Sequence, residues 1–317
     1  FFTTDGMAYK LKTWRLPQGG RTSKGKAVVN ILPIPTGVSI AAIMPVDIPE
    51  EDWENVQIIF ATSAGDVRRN ALSDFTNVRA NGKIAMDLPD NVELVNARIA
   101  TQDNDVMLVT KSGRAIRFST NAVRVFKGRK STGVRGVRLT GDDCVVSMSI
   151  LRHFDASSDE RAAYLKMRRA VAGMADDEGA DTEDEEINVN ATISPERYAE
   201  MSAAENLILT ISSRGSGKLS SSHDYPVRGR GGIGVAAMDK AMRGGDLVAS
   251  FPVDLEDQIM LATSKGQSIR VPIEGISFRS RSAGGVKVFN TGNNEEVVSV
   301  ARIVEQSEDQ EAPENEA

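Results

Sequence analysis

The segment Val106-Met107-Leu108-Val109-Thr110-Lys111-Ser112-Gly113-Arg114-Ala115-Ile116-Arg117-Phe118 decides the fold of this chain. It consists of an apolar run, a polar turn that ends in glycine, and a second strand-like run. Short apolar runs bounded by turn residues are typical of buried strands. Glycine after a polar triplet supplies the positive φ angle that a hairpin turn needs. The segment therefore predicts two antiparallel strands joined by the turn at residues 110–113.

The same pattern recurs along the chain with a period of about 50 residues. The polar turn ends at five glycines, spaced 59, 48, 102 and 51 residues apart, which are Gly6, Gly65, Gly113, Gly215 and Gly266. The long third interval contains an acidic block at residues 155–205, and leaving it out restores the period. In the last four copies an apolar run precedes the turn, at residues 56–60, 106–109, 207–211 and 259–262.

Each copy also predicts a third and a fourth strand. The third strand is expected to begin at Val28, Ile84, Val134, Val235 or Val286. The fourth is expected at residues 40–46, 94–100, 145–151, 247–253 and 297–304. Four strands in a unit of this length are typical of a propeller blade, which buries its faces by stacking on other blades. Because no amphipathic helix separates the strands, we expect an all-β, propeller-like domain over residues 1–304 and not a parallel α/β sheet.

Charge is unevenly distributed along the chain. The formal net charge is −6, from 38 basic and 44 acidic side chains. Residues 155–205 hold 14 acidic and 5 basic side chains, and residues 305–317 hold 6 acidic and none basic. The rest of the chain therefore carries 33 basic and 24 acidic side chains. A basic body with two acidic appendages is compatible with nucleic-acid binding, although the net charge alone argues against it.

A loop rich in Arg, Lys, Gly, Ser and Thr lies between the second and third strands of each copy. The five loops are residues 20–26, 77–83, 127–133, 228–234 and 279–285. Because each occupies the same place in its repeat, stacking the blades puts all five on one rim. Cations spaced along a curved rim suit a phosphate backbone, to which glycine-rich main chain and hydroxyls add hydrogen bonds. The candidate DNA-binding cations are Arg21, Lys24, Lys26, Arg79, Lys83, Lys127, Arg129, Lys130, Arg228, Arg230, Arg279 and Arg281, with Arg135 directly after the third loop.

A second set of candidate cations lies on the second strand, four residues after the turn glycine. Its members are Lys10, Arg69, Arg117 and Arg270, while the fourth copy has Lys218 one residue earlier. We expect these side chains to point outward. For any single loop or strand, solvated surface charge is an adequate explanation, but repetition in five loops favours DNA. Because Asn and Gln are scarce at positions that could read bases, the expected binding is independent of sequence and sensitive to salt.

No constellation of residues points to catalysis, a metal or a membrane. The single cysteine, Cys144, lies in an apolar run and is expected to be a buried, inert thiol. The two histidines, His153 and His223, have no other ligand at metal-binding spacing. Residues 229–234 are rich in glycine but lack the Gly-Lys-Ser/Thr ending of a P-loop. No apolar run reaches the roughly 18 residues of a membrane helix. We therefore expect no cofactor in this chain.

Two other propeller functions stay open as alternatives. A kelch-type protein-interaction propeller has a similar period, but it predicts exposed aromatic or apolar anchors in the loops, which these loops lack. A propeller enzyme needs convergent acid, base or metal groups in a central channel. The sequence supplies no such set.

The acidic block at residues 155–205 is expected to be a partly helical insertion between the third and fourth copies. Residues 159–171 and 195–201 predict two short helices. The like-charged run at residues 176–186 and the acidic tail at residues 305–317 are expected to be disordered.

One stretch of the third copy resembles the C-terminal domain of the A subunit of DNA gyrase. It reads Ser131-Thr132-Gly133-Val134-Arg135-Gly136-Val137-Arg138-Leu139, and Gly-Asp-Asp and Val-Val-Ser follow at residues 141–143 and 145–147. Residues 21–32 and 257–260 are similar to the same family, and the likeness covers nearly the whole chain outside residues 155–205. The resemblance implies a six-bladed β-pinwheel, a propeller relative whose blades exchange strands. It also implies that duplex DNA wraps around the rim in a positive sense.

The resemblance also implies a role in a larger enzyme. Wrapping would allow a gyrase heterotetramer, built from two copies each of gyrase A and gyrase B, to introduce negative supercoils. ATP would be hydrolysed on gyrase B, so ATP and Mg²⁺ are expected outside this chain. The catalytic tyrosine of the family lies in the N-terminal part of gyrase A, and no catalytic residue is expected here. The implied partners are duplex DNA, the N-terminal part of gyrase A, and gyrase B, in the bacterial cytoplasm at the nucleoid.

One hallmark of the family is absent from this sequence. The gyrase box, Gln-Arg-Arg-Gly-Gly-Lys-Gly, does not occur, and the five basic loops look like degenerate copies in its equivalent place. Because no apolar run precedes the first turn, we expect the chain to begin inside the second blade, after the box. The alternative is the C-terminal domain of the topoisomerase IV protein that corresponds to gyrase A, which lacks the box. Five recognisable copies of the repeat favour the gyrase domain over the topoisomerase IV domain.

Overall fold

The five turn glycines close hairpins in the computed structural model, which describes residues 1–19, 25–171, 191–241 and 244–304. Gly6, Gly65, Gly113, Gly215 and Gly266 have φ angles of 76–91°. In each turn the glycine N–H donates to the carbonyl oxygen three residues earlier, as from Gly113 to Thr110 at 3.0 Å. Residues with a Cβ rarely adopt this conformation, so the turn geometry explains why glycine recurs there. The predicted hairpins are confirmed.

The strands follow one another in five repeats. The first repeat contains β1 (Phe2–Thr3), β2 (Met7–Ala8) and β3 (Ile40–Ala42). The second contains β4 (Gln57–Thr62), β5 (Asp66–Ala71), β6 (Lys83–Ile84) and β7 (Leu94–Ala100). The third contains β8 (Asn104–Thr110), β9 (Arg114–Ser119), β10 (Val134–Arg135) and β11 (Val145–Arg152). Helices α1 (Ser158–Val171) and α2 (Pro195–Ala204) come next. The fourth repeat contains β12 (Leu207–Ser212), β13 (Ser216–Ser221), β14 (Val235–Ala236) and β15 (Leu247–Val253). The fifth contains β16 (Gln258–Thr263), β17 (Ser268–Pro272), β18 (Val286–Lys287) and β19 (Val297–Ile303).

Four of the five sheets are completed by a strand from the following repeat. The strand orders are β3-β1-β2-β6 in sheet 1, β10-β5-β4-β7 in sheet 2, β11-β8-β9-β14 in sheet 3, β15-β12-β13-β18 in sheet 4 and β17-β16-β19 in sheet 5. In sheet 2, for example, Val134 of the third repeat lies opposite Val67 of the second in an antiparallel pair. This exchange agrees with what the resemblance implies. The described residues form five blades, and a sixth stays an expectation.

The fourth strands line the centre of the molecule, and the third strands form its outer edge. Successive fourth strands pack against one another, β3 against β7, β7 against β11, β11 against β15 and β15 against β19. The third strands lie at the opposite edges of the sheets, three strand spacings or roughly 14 Å farther out. One predicted third strand is wrong, because Val28 begins a 3₁₀ turn, Val28–Asn30. A third strand forms by pairing with the preceding repeat, and the described residues contain no repeat before the first.

The core lies between successive sheets, so both faces of most strands are buried. Ile58 and Phe60 on β4 pack with Phe2 of sheet 1, whereas Ile59 on the same strand packs with Val106 of sheet 3. Similar apolar layers join sheet 3 to sheet 4 and sheet 4 to sheet 5. This arrangement explains why the first strands read as continuous apolar runs and not as an alternation of apolar and polar residues.

Helices α1 and α2 lie where the sequence predicts helices. α1 begins at a capping box, in which Ser157 Oγ accepts from the Glu160 N–H at 3.2 Å and Glu160 Oε2 accepts from the Ser157 N–H at 2.8 Å. α2 has Ser194 as its N-cap and proline at its first position. The predicted disordered run at residues 176–186 and the tail at residues 305–317 lie outside the described residues.

The two helices pack on the fourth repeat through aromatic rings. Tyr164 on α1 is fully buried, with its ring centroid 5.0 Å from that of His223. His223 Nε2 donates to the carbonyl oxygen of Met201 on α2 at 2.8 Å. Burial lowers the pKa of His223, which keeps this ring neutral. The pair of helices is therefore docked on the blade and not an independent unit.

Replacing Gly133 by alanine is expected to lower the free energy of unfolding by about 3 kcal/mol. Gly133 has a φ angle of 93°, and an added Cβ would lie 2.2 Å from the carbonyl oxygen of Val67 on β5. Gly141→Ala is the matched control, because Gly141 has a φ angle of 59° and nothing within 4 Å of the added atom. It should cost about 1 kcal/mol. Urea unfolding measures both losses, and equal losses would contradict the role of the close approach.

Candidate nucleic-acid interface

The basic loops lead into the strands at the outer edges of the sheets. Residues 77–83, 127–133, 228–234 and 279–285 lead into β6, β10, β14 and β18. Each of these strands pairs with the second strand of the previous repeat, so the four loops occupy equivalent positions on the outside. Arg21 and Lys24 of the first loop lie outside the described residues. We call residues 25–26, 77–83, 127–135, 228–234 and 279–285 the basic rim.

Several cations of the basic rim are exposed to solvent. They are Lys26, Arg79, Lys127, Lys130, Arg135 and Arg230. Within the described part of the chain, no carboxylate lies within 4.0 Å of the charged groups of Arg79, Lys127 or Lys130. The charges of these three side chains are therefore available to an anionic ligand.

The arginine four residues before the last glycine of a loop ties that loop to the preceding repeat. Arg230 Nε donates to the carbonyl oxygen of Ala122 at 2.9 Å, and Arg230 Nη1 donates to that of Arg135 at 3.1 Å. Arg281 Nη1 donates to the carbonyl oxygen of Ala236 at 2.8 Å. Ala236 and Arg135 are equivalent, since each lies two residues after the last glycine of its loop. These arginines fix the spacing between neighbouring loops.

Two further rim cations meet at one main-chain acceptor. Lys83 Nζ donates to the carbonyl oxygen of Asp74 at 2.6 Å, and Arg129 Nη1 donates to the same atom at 3.4 Å. Burial, together with the nearby Arg129 guanidinium, lowers the pKa of Lys83. Both side chains are half-buried. They hold the second and third loops together and present less charge to solvent than their residue types suggest.

The predicted outward orientation is wrong for two second-strand cations of the candidate site, Arg69 and Arg117. Their exposed fractions are 7% and 4%, and Lys218 in the fourth copy is fully buried. Arg69 Nη1 donates to the carbonyl oxygen of Thr120 at 3.0 Å. The second strand has no outward face at these positions, because the neighbouring sheets cover both of its sides. These cations therefore stabilise the blades and cannot reach a ligand at the surface.

The remaining candidate cations have varied surroundings. Lys10 pairs with the carboxylate of Glu50 and is partly exposed. Arg270 on β17 is exposed, as predicted. Arg228 and Arg279 are partly buried in their loops. Of the second-strand candidates within the described residues, Arg270 is thus the one that is fully exposed, while Lys10 is partly exposed.

Two cations lie directly beneath the basic rim; sequence reasoning missed Arg68 and expected Lys218 to point outward. Arg68 on β5 and Lys218 on β13 are equivalent, three residues after their turn glycines, and neither side chain is exposed. Both donate to main-chain carbonyl oxygens of the basic loops at residues 127–133 and 279–285. The adjacent pair Arg68-Arg69 is the signal that could have revealed Arg68, because it puts a cation on each face of one strand.

Arg117 belongs to a charge cluster with Asp105, which is fully buried, and His153, which is partly exposed. Arg117 Nε donates to Asp105 Oδ2 at 2.8 Å, and His153 Nδ1 lies 2.8 Å from Asp105 Oδ1. Burial lowers the pKa of Arg117, against the opposing attraction of Asp105. Burial also acts to lower the pKa of His153, but hydrogen bonds and attraction from Asp105 and Asp155 outweigh it and raise that pKa above its ordinary value. This cluster stabilises the third blade and is not part of the rim.

Other candidate chemistry finds little support in the described residues. There, no group of three His, Cys, Asp or Glu side chains is placed to hold a metal ion. No described helix has the length and apolar character required to span a membrane. Cys144 is half-buried instead of buried, and burial raises the pKa of its thiol. The thiol therefore stays protonated and weakly reactive at neutral pH.

A family model described as DNA gyrase C-terminal domain, beta-propeller, matches this chain repeat by repeat. The matched residues are 1–47, 57–101, 104–152, 206–251 and 257–303. The match leaves out residues 153–205, which contain α1 and α2.

Curated relatives extend this likeness across the chain. The DNA gyrase A protein of Granulibacter bethesdensis is 44% identical over 316 residues, covering 96% of this chain and 34% of that protein. The DNA gyrase A protein of Rickettsia bellii is 38% identical over 315 residues, covering 98% of this chain and 34% of that protein. The chain therefore spans about a third of the length of the curated relatives that it matches.

Two solved structures share the fold. The C-terminal domain of DNA topoisomerase IV has a TM-score of 0.69 at 20% identity, over 95% of this chain and 77% of that one. The DNA gyrase A C-terminal domain has a TM-score of 0.66 at 19% identity, over 96% of this chain and 81% of that one. At these identities the likeness shows the fold alone. The repeat-by-repeat match and the 44% identity show the family, and the chain belongs to the DNA gyrase C-terminal domain family of β-propellers.

Proposed function

We propose that this chain binds duplex DNA along the basic rim, without regard to sequence, and wraps the DNA around the outside of the blades. The observation that carries this proposal is the recurrence of exposed cations on equivalent loops of successive repeats, such as Arg79, Lys127 and Lys130. These loops follow the outer edges of the sheets. A phosphate backbone that runs around the outside would meet them in turn.

Repetition is what makes wrapping feasible. Smooth bending of a 20–30 bp site costs about 1–6 kcal/mol, which no single loop offsets. Contacts repeated at every turn can offset it, as in the nucleosome, where main-chain and arginine contacts act without base readout. Arg230 and Arg281 tie the fourth and fifth loops to their preceding repeats, which keeps the phosphate contacts of these loops at a fixed spacing.

The proposal extends to the longer protein of which this domain forms a part in its relatives. The relatives are gyrase A proteins, so we assign the domain to a type II topoisomerase that uses ATP to introduce negative supercoils. The domain would supply the DNA wrap and no catalytic residue. ATP and Mg²⁺ would be bound elsewhere in the enzyme. Its partners would be the N-terminal part of gyrase A, and gyrase B, in the bacterial cytoplasm.

A second candidate function is that of the topoisomerase IV C-terminal domain, which the fold likeness to that domain favours. The curated relatives described above favour gyrase, because they are gyrase A proteins matched over 96% and 98% of this chain. A kelch-type interaction propeller has weaker support. Among the described loops of the basic rim, Ile233 is the one large apolar side chain that is exposed.

Wrapping is expected to change the linking number of circular DNA. Nicked circles would be bound by increasing amounts of the chain, sealed by ligase, freed of protein and resolved on chloroquine gels. A positive wrap shifts the topoisomer distribution towards positive linking difference, in proportion to the bound chain. An unshifted distribution at saturating binding would show that the rim binds DNA without wrapping it. Absence of binding would remove the proposal altogether.

A further inference from the structure

We propose that the loop at residues 127–133 is an anion site, held in shape by the buried guanidinium of Arg68, and that its outward main-chain N–H groups, above all that of Arg129, donate to the phosphate backbone of the DNA. This inference rests on the proposed function, because it names a specific contact within the basic rim. It differs from a salt contact of an exposed lysine, since the donors are backbone groups and the cation behind them is buried.

Arg68 lies beneath the loop and donates hydrogen bonds to three of its carbonyl oxygens. Its Nη1 donates to the carbonyl oxygens of Arg129 at 2.5 Å and Ser131 at 2.8 Å. Its Nη2 donates to the carbonyl oxygen of Gly128. Burial lowers the pKa of Arg68 to about 10, so the guanidinium remains charged at neutral pH. The negative ends of three peptide dipoles in this loop thus point inward.

The same geometry turns the positive ends of these peptides outward. The described residues contain no cis peptide, and in a trans peptide the N–H points away from the C=O. The N–H groups of Arg129, Lys130 and Thr132 therefore lie on the side opposite Arg68. Within the described chain, none of these three donates a hydrogen bond to another group. Main-chain N–H groups without acceptors on a basic loop are available to hydrogen-bond phosphate oxygens.

In the equivalent loop of the fifth repeat, the N–H that corresponds to that of Arg129 donates to an anionic oxygen. Lys218 Nζ donates to the carbonyl oxygens of Ser280 at 2.7 Å, Ala283 at 2.6 Å and Arg281. These residues are the counterparts of Gly128, Ser131 and Arg129. On the outer side, the Arg281 N–H donates to Asp224 Oδ2 at 2.6 Å. A carboxylate of the protein thus occupies the donor that corresponds to the Arg129 N–H.

The matching carboxylate of the second repeat is directed elsewhere. Asp74 is the counterpart of Asp224, since each lies nine residues after its turn glycine. Asp74 Oδ2 accepts instead from Asn70 Nδ2 at 2.8 Å. The Arg129 N–H is therefore left for an external anion, with exposed Lys127 and Lys130 on the same loop.

The loop of the fourth repeat lacks this arrangement. The position equivalent to Arg68 is Ile116, which carries no donor. In that loop the Gly231 N–H donates to the carbonyl oxygen of Gly136 at 2.6 Å, and the Gly232 carbonyl oxygen accepts from the Arg138 N–H at 2.8 Å. Its main chain is used to join the two repeats. The anion site is thus assigned to residues 127–133.

The site is tested by following backbone amide resonances of the full chain by ¹⁵N NMR. Inorganic sulfate, and separately a short DNA duplex, should shift the amides of Arg129, Lys130 and Thr132 saturably. Arg68→Met should abolish the sulfate shifts, weaken duplex binding about tenfold, and flatten the log–log salt slope by about 0.9. Arg68→Lys should retain the shifts, because Lys218 gathers the same three carbonyl oxygens with an ammonium group.

Lys127→Gln separates the anion site from a simple loss of charge. It should flatten the salt slope by a similar amount, about 0.9, while leaving the sulfate shifts in place. Duplex binding by the native chain without shifts at the three amides would overturn the site and leave the proposed function standing. Sulfate shifts at these amides without any duplex binding would support the anion site and overturn the proposed function. If Arg68→Met fails to fold, the amide shifts of the native chain and of Arg68→Lys still test the site.

Discussion

Replacing Arg79, Lys127, Lys130 and Arg135 together by glutamine is expected to weaken duplex DNA binding by about two to three orders of magnitude at low salt. All four side chains are exposed on the basic rim, so their loss should remove phosphate contacts without disturbing the core. Each phosphate contact releases counterions and contributes about −0.9 to the slope of log K against log salt. The slope should therefore become shallower by as much as about 3.6.

The measurement is a titration of a long duplex at several salt concentrations, for the native chain and the fourfold variant. Lys166→Gln with Arg169→Gln is the control, since both cations lie on α1 and not on the rim. Compared per charge removed, the control should change the slope far less. Equal changes per charge would show that net charge, and not the rim, sets the affinity. Unequal effects on different DNA sequences would contradict readout through the backbone alone.

The repeated hairpins could be predicted from the sequence, because each depends on neighbours along the chain. The turn glycines and the fourth strand at Leu247–Val253 are local patterns, and the structure has them where expected. The exchange of third strands is not local. A pair such as Val134-Arg135 looks the same whichever sheet it joins, and its pairing with Val67 is decided by the stacking of repeats. The sequence suggests that exchange through the family resemblance alone.

The location of the candidate site on the basic loops could be predicted from the sequence. Which of its cations face solvent and which hold the repeats together could not. Residue type and repetition place Lys127 and Lys130 on an exposed loop, where the structure has them. Arg230 and Arg281 donate to main-chain carbonyl oxygens of a neighbouring repeat. Because every residue has such an oxygen, the sequence does not show which one a side chain will contact. The alternation of a strand shows which side chains share a face, but it cannot show that both faces of β5 are covered.

Arg117→Met is expected to lower the free energy of unfolding by about 3–5 kcal/mol. Arg117 is 4% exposed and is the cationic partner of Asp105, which is fully buried. Removing one member of a buried ion pair leaves the other charge desolvated and uncompensated. Arg117 also donates to the carbonyl oxygens of Arg152 at 2.8 Å and Ser222 at 2.7 Å, so its loss uncouples the third repeat from the fourth. Urea unfolding of the two proteins measures the loss.

A double variant and the pH dependence identify the cause. Arg117→Met combined with Asp105→Leu should recover most of the stability, because the uncompensated carboxylate is removed and a well-packed apolar pair can replace a buried ion pair. In Arg117→Met alone, His153 is the cation that remains beside Asp105. The pKa of His153 is raised in the folded state, so its stabilising charge is fully present below the unfolded value of about 6.5 and is lost as pH rises through the folded value. The variant should therefore be less destabilised at about pH 5.5 than at about pH 8. A loss that is independent of pH, and that the double variant does not reduce, would place its origin in the lost packing and carbonyl contacts of Arg117 and not in the stranded charge of Asp105.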